Sequence, residues 1–88
     1  MEEPQELLIF PCDFPLKAMG NSAPDFTDHV VAIVRRHAPG FEQAAVETRS
    51  SSGGKFTAVT ITITATSRAQ LEAIYFDFHK DERVLYVL

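Results

Sequence analysis

FTAVTITITAT, residues Phe56 to Thr66, is the stretch on which the fold turns. Val59, Ile61, Ile63 and Ala65 alternate with Thr60, Thr62 and Thr64. This is a period of two, carried mostly by β-branched side chains, and it marks a strand with one apolar and one hydroxyl-bearing face. The preceding SSSGGK, Ser50 to Lys55, reads as a hairpin loop, so residues 42–50 are expected to form the antiparallel partner. Downstream, Ser67-x-x-Gln70 is a capping-box pattern that opens a helix, and Leu71, Ile74, Tyr75 and Phe78 make its buried stripe. VLYVL, Val84 to Leu88, closes the chain as a final strand.

Upstream of the loop, Phe26, Val30, Ile33, Val34 and His37 recur at helical spacing and define the first helix. Asn21 or Ser22 is placed to cap it, Pro24 suits its first turn, and Asp25 and Asp28 complement the positive end of its dipole. Arg35 and Arg36 lie near its far end, and Ala38-Pro39-Gly40 stops it. Pro4, Pro11 and Pro15 punctuate residues 1–15, which therefore read as an irregular arm docking Leu7, Leu8, Ile9 and Phe10 on the domain. The first strand then runs from Leu16 to Met19, and residues 16–88 form one domain. Strand, helix, strand, strand, helix, strand with right-handed crossovers is an α+β, ferredoxin-like βαββαβ sandwich. Its four-stranded antiparallel sheet, in order 4-1-3-2, carries both helices on one face. The threonine row is expected on the open face and the final strand at an edge.

Eighty-eight residues leave room for a single core. Eight basic and twelve acidic residues give a net charge of −4. Residues 1–44 hold three basic and seven acidic side chains, and residues 45–88 hold five of each. Neither half has the cationic excess that nucleic-acid binding draws on. No apolar run reaches the roughly 18 residues of a membrane span, and the acidic MEEPQE start is not a signal peptide, so neither nucleic acid nor membrane is an expected partner. Cys12 is the lone cysteine, in keeping with a reducing, cytoplasmic location.

LLIFPCDFPLKAMG (Leu7–Gly20), RRHAP (Arg35–Pro39), SSGGKFTAVTITITATS (Ser51–Ser67) and the terminal VLYVL together resemble the YbeD-like family of small bacterial proteins, over nearly the whole chain. The resemblance implies a ferredoxin-like domain similar to the ACT amino-acid-sensing modules. It supplies no established activity and no catalytic residues. It also implies a loose association with lipoate metabolism, because relatives are similar to proteins encoded near lipoate-attachment functions. In ACT-like modules the loop after the first strand helps to bind a small ligand. Here that loop offers Gly20, with its backbone freedom, the polar Asn21 and Ser22, and Lys17 to neutralise a carboxylate. The same Gly-Asn-Ser-x-Pro sequence also serves as plain turn-and-cap chemistry.

Other chemistries find little purchase. His29, His37, His79 and Cys12 lack metal-ligand spacing; His37 and His79 instead fall near helix C-termini, where an imidazolium is favoured. Ser50–Lys55 lacks the P-loop pattern. Acylphosphatases of this fold class hold phosphate with an arginine after the first strand, and Met19–Pro24 contains none. RNA-recognition sheets stack bases on aromatics of the third strand, where this chain presents Ala58, Thr60, Thr62 and Thr64. The expectation is therefore a non-enzymatic protein without cofactor or metal: an ACT-like regulatory, small-metabolite-sensing or interaction module. A metabolite would sit near Lys17, Gly20, Asn21 and Ser22. The alternative is a pure protein–protein interaction module using Thr60, Thr62 and Thr64 on the open face, Phe76 on the second helix and Tyr86 on the edge strand. Phe76 points about 140° away from the buried stripe at 100° per residue, and a homodimer or a partner enzyme is the expected occupant.

Overall fold

The computed structural model of the chain describes residues 8–42 and 45–88. The MEEPQE segment, Leu7, Gln43 and Ala44 lie outside the described residues. In chain order the elements are β1 (Cys12–Asn21), α1 (Phe26–Arg35), β2 (Val46–Ser50), β3 (Phe56–Ala65), α2 (Arg68–Lys80) and β4 (Tyr86–Val87). They build one antiparallel sheet in the order β2-β3-β1-β4. The fold is the ferredoxin-like α+β arrangement expected from the sequence.

The alternation in β3 does what its period dictates. Val59, Ile61, Ile63 and Ala65 are buried against the helices, while Thr60 and Thr62 are half-buried and Thr64 is exposed on the opposite face. β3 pairs along its whole length with β1, from Cys12 opposite Ala65 to Asn21 opposite Phe56. Leu16 and Ala18 of β1 join the β3 apolar row, Phe26, Val30, Ile33 and Val34 of α1, and Leu71, Ile74 and Phe78 of α2 in one core. Phe26 and Phe78 are fully buried, and each contributes about 1.5–3 kcal/mol of transfer free energy.

β1 is longer than the sequence reading allows. Cys12 to Pro15 belong to the strand, not to an irregular arm, and Pro15 pairs with Thr62. The reason lies in which way the main chain faces. The carbonyls of Lys17 and Met19 accept from Leu88 and Leu85, on the β4 side. Main-chain groups alternate along a strand, so the nitrogen of Pro15 also faces that side, where β4 pairs only with Ala18 and Met19. The donor that proline lacks would have had no strand to meet. Upstream of the strand, Phe10 packs on the core as expected, but Ile9 is 80% exposed.

The turn before α1 also differs. Gly20 and Asn21 are the last two residues of β1, and the residue at the helix N-cap is Asp25, with no side-chain capping bond. Gly20 is not held in a left-handed conformation; that belongs to Gly53 and Gly54 in the hairpin loop. It is glycine for lack of space: a Cβ there would collide with the carbonyl oxygen of Arg83 and come within 2.6 Å of the Phe26 ring. At α2, Ser67 accepts from the Gln70 N–H at 3.1 Å, the first half of the capping box. Gln70 completes it one residue further back, accepting from the Thr66 N–H at 2.8 Å, and donates to the carbonyl of His37. The final strand is shorter than Val84–Leu88, and Val84 turns into the core.

Candidate functional site

Because β1 alternates, the residues Lys17, Gly20, Asn21 and Ser22 do not gather in one place. Lys17 lies opposite Thr60 on the open face. Gly20 is buried on the helix side, Asn21 is exposed at the end of β1, and the Ser22 hydroxyl lies 2.7 Å from that of Thr57. The Ser22 N–H is satisfied by the carbonyl of Lys55. The segment is thus tied down by its own chain.

The open face, by contrast, gathers polar side chains in cross-strand rows. Glu47, Thr60 and Lys17 make one row across β2, β3 and β1; Arg49, Ala58, Met19 and Tyr86 make the next, reaching β4. Thr60 lines a hollow with Lys17, Glu47, Arg49 and Ala58, whereas Thr62 and Thr64 line a separate one beside Asp13 and Phe41. Glu47 and Arg49 were absent from the sequence reading, although their alternation with Val46 and Thr48 was a usable signal for an outward-facing pair.

Tyr86 is 62% exposed, and its neighbours Leu85 and Leu88 are 46% and 73% exposed. The Leu88 N–H donates to Lys17, so the main-chain groups of the adjacent Val87 point outward from the sheet. Phe76 is exposed too, beneath the Lys80 ammonium at 5.2 Å, but on the helical layer. Phe76 and Tyr86 therefore belong to different surfaces.

The helical layer is laced by polar side-chain contacts. His29 Nε2 lies 2.8 Å from Asp81 Oδ2, and His37 Nε2 lies 2.8 Å from Asp77 Oδ2, so the first helix segment is bonded twice to the second. The His37 hydrogen bond, aided by the charges of His37 and Lys80, lowers the Asp77 carboxyl below its ordinary value against the opposing effect of desolvation. Burial pushes Asp81 up, but the His29 hydrogen bond and charge and the Arg83 and Val84 N–H groups outweigh it. Arg83 forks onto Asp25 at 2.8 and 3.2 Å, lowering that carboxyl as well. These pairs fasten α1, α2 and the approach to β4. Among the described residues no group of three or more His, Cys, Asp or Glu is placed to hold a metal ion. No helix among them is long and apolar enough to cross a membrane.

Comparison with known proteins agrees with the sheet and helices. Residues 5–88 match the family described as "Protein of unknown function (DUF493)". A UPF0250 protein of Chromobacterium violaceum is 47% identical over 87 residues, covering 99% of this chain and 98% of its own. One of Nitrosomonas europaea is 43% identical, covering 96% and 97%. The solution structure of protein HP0495 from H. pylori superimposes with a TM-score of 0.73 over 100% of this chain and 97% of that one, at 14% identity. That likeness is one of fold.

Proposed function

This chain belongs to the DUF493 family of proteins of unknown function, also called UPF0250 and YbeD-like, and within it we propose a non-catalytic, ACT-like regulatory module that works by pairing its C-terminal edge strand with a second copy of itself. The observation that carries this reading is the contrast between the two edges of the sheet. The β2 edge reads Val-Glu-Thr-Arg-Ser and sets charged side chains beside its main chain. The β4 edge reads Leu-Tyr-Val-Leu, with three large apolar or aromatic side chains exposed and the main chain of Val87 turned outward. Charged edges discourage strand addition and apolar ones invite it. Antiparallel pairing of like strands about a two-fold axis makes each residue's contact reciprocal, which suits a second copy better than an unrelated segment. Regulation then follows by population shift, since anything that prefers the paired or unpaired state changes the number of free edges.

Sedimentation analysis across a concentration series tests the reading. The wild-type chain should change from monomer to dimer below about 1 mM, the weak end of specific association. Tyr86→Glu should keep it monomeric by placing a charge in the pairing row, and Val87→Pro by removing the outward donor. Phe76→Glu, on the helical layer, should leave the transition intact. A wild-type chain that stays monomeric throughout overturns the proposal, as does a dimer broken by Phe76→Glu but not by Val87→Pro.

A further inference from the structure

Six of the eight basic side chains of this protein are occupied. Arg36 and Lys80 reach Asp77, and Arg83 grips Asp25. Arg35 lies over Phe41, Lys55 lies over Phe56, and Arg68 has a partner of its own. The remaining two, Lys17 and Arg49, form no hydrogen bond or ion pair with any described residue, and both line the same hollow on the open face. Chance scatter of surface charge does not favour that convergence in a chain of net charge −4. The pairing register puts Lys17 on β1 and Arg49 on β2, one row apart across the intervening β3. Their Cα atoms are then about 12 Å apart, from strand spacing and rise. Between them Ala58 forms a low floor, and Thr60 adds a hydroxyl.

We propose that this hollow binds a small organic monocarboxylate. Arg49 can offer its planar fork to both oxygens, Lys17 a point charge, and Thr60 a hydroxyl donor. Ala58, 8% exposed although it lies on the outer face, receives the short alkyl part. Glu47 sets the charge of the ligand. With two cations and one carboxylate on the rim the hollow carries one net positive charge, so a singly charged anion cancels it, whereas a phosphate dianion overshoots and is repelled by Glu47. The groups are open to solvent, which makes the interaction weak and salt-sensitive.

An amide-resolved NMR titration of the full chain with propionate, at constant ionic strength, tests this. Saturable shifts are expected at Lys17, Arg49, Ala58 and Thr60, with phosphate binding more weakly than propionate. Lys17→Gln or Arg49→Gln should weaken propionate at least several-fold while the dispersed spectrum confirms the fold, and Lys55→Gln should change nothing. Glu47→Gln should narrow the gap between phosphate and propionate. Val87→Pro, which tests edge pairing, should bind propionate like wild type, so the two proposals can fail separately. Shifts that do not saturate, affinity unchanged in Lys17→Gln and Arg49→Gln, or phosphate bound more tightly than propionate by the wild type would each overturn the assignment.

Discussion

Replacing Gly20 by alanine puts one methyl group where the fold has no room for it. The new Cβ meets the Arg83 carbonyl oxygen and stands 2.6 and 2.7 Å from Cε1 and Cζ of Phe26. Phe26 is fully enclosed by the core and has nowhere to retreat. The Arg83 backbone is also held, by its own N–H on Asp81 and its guanidinium on Asp25. If the core yields, overpacking costs about 1–3 kcal/mol. If the Arg83 backbone yields instead, the nearby Leu85–Met19 main-chain bond is strained, and such a bond is worth about 0.5–1.5 kcal/mol. Against either cost, alanine restricts the unfolded chain and recovers about 0.4–1 kcal/mol. The net expectation is a loss of about 1 kcal/mol, with roughly 2.5 as its upper end, from a total that at 0.05–0.15 kcal/mol per residue is about 4–13. Thermal unfolding should fall by about 4–8 °C, and by up to roughly 20 °C at the upper end, for a chain of this size, and the urea midpoint should fall with an unchanged slope. Gly40→Ala is the matched control, because among the described residues, its chain neighbours aside, no atom lies within 4 Å of a Cβ there. A Gly20→Ala protein as stable as wild type would refute the argument that close approach, rather than a turn, explains this glycine.

The other expectations concern the helical layer and the two surfaces. Ser67→Ala removes the acceptor of the Gln70 N–H and should cost about 1 kcal/mol by denaturant unfolding; an unchanged midpoint would mean that Gln70 alone caps the helix. Asp77 and Asp81 titrate lower in the folded chain than their ordinary 3.8, so their contribution is complete above that value and is lost as pH falls through the lower folded one. Urea midpoints should therefore drop below about pH 4, with a shallower drop in the Asp77→Asn, Asp81→Asn double variant; equal slopes would count against the helix clamp. Edge pairing should fail in Tyr86→Glu and Val87→Pro by sedimentation, and propionate binding should weaken at least several-fold in Lys17→Gln by NMR titration.

The architecture was legible because its main signals are local and periodic. The β3 alternation, the α2 stripe and the Ser67 cap each follow from spacing alone, and they constrained strand order and helix placement together. What escaped were features set by neighbours distant in sequence. Pro15 is tolerated in β1 because of where β4 stops, which no reading of residues 1–15 contains. Gly20 is required by the Arg83 carbonyl, far along the chain, together with the Phe26 ring, whereas the nearby Asn21, Ser22 and Pro24 made it look like turn chemistry. The joint placement of Lys17 and Arg49 likewise needs the pairing of β1, β2 and β3. Phe76 was read as pointing away from the buried stripe and Tyr86 as lying on the edge strand, but only the layers reveal that they face different surroundings.

The charges on β2 have a consequence for how far assembly can proceed. Joining two β4 edges gives a continuous sheet of eight strands whose outer boundaries are both β2. Those boundaries carry Glu47 and Arg49 beside the strand backbone, and they offer no apolar row for another copy to extend. Under the proposed edge pairing, growth would therefore end after a single addition: the unequal ends of the sheet would set the stoichiometry, and the feature that would make a symmetric four-stranded sheet a seed for fibres would here close the assembly at two.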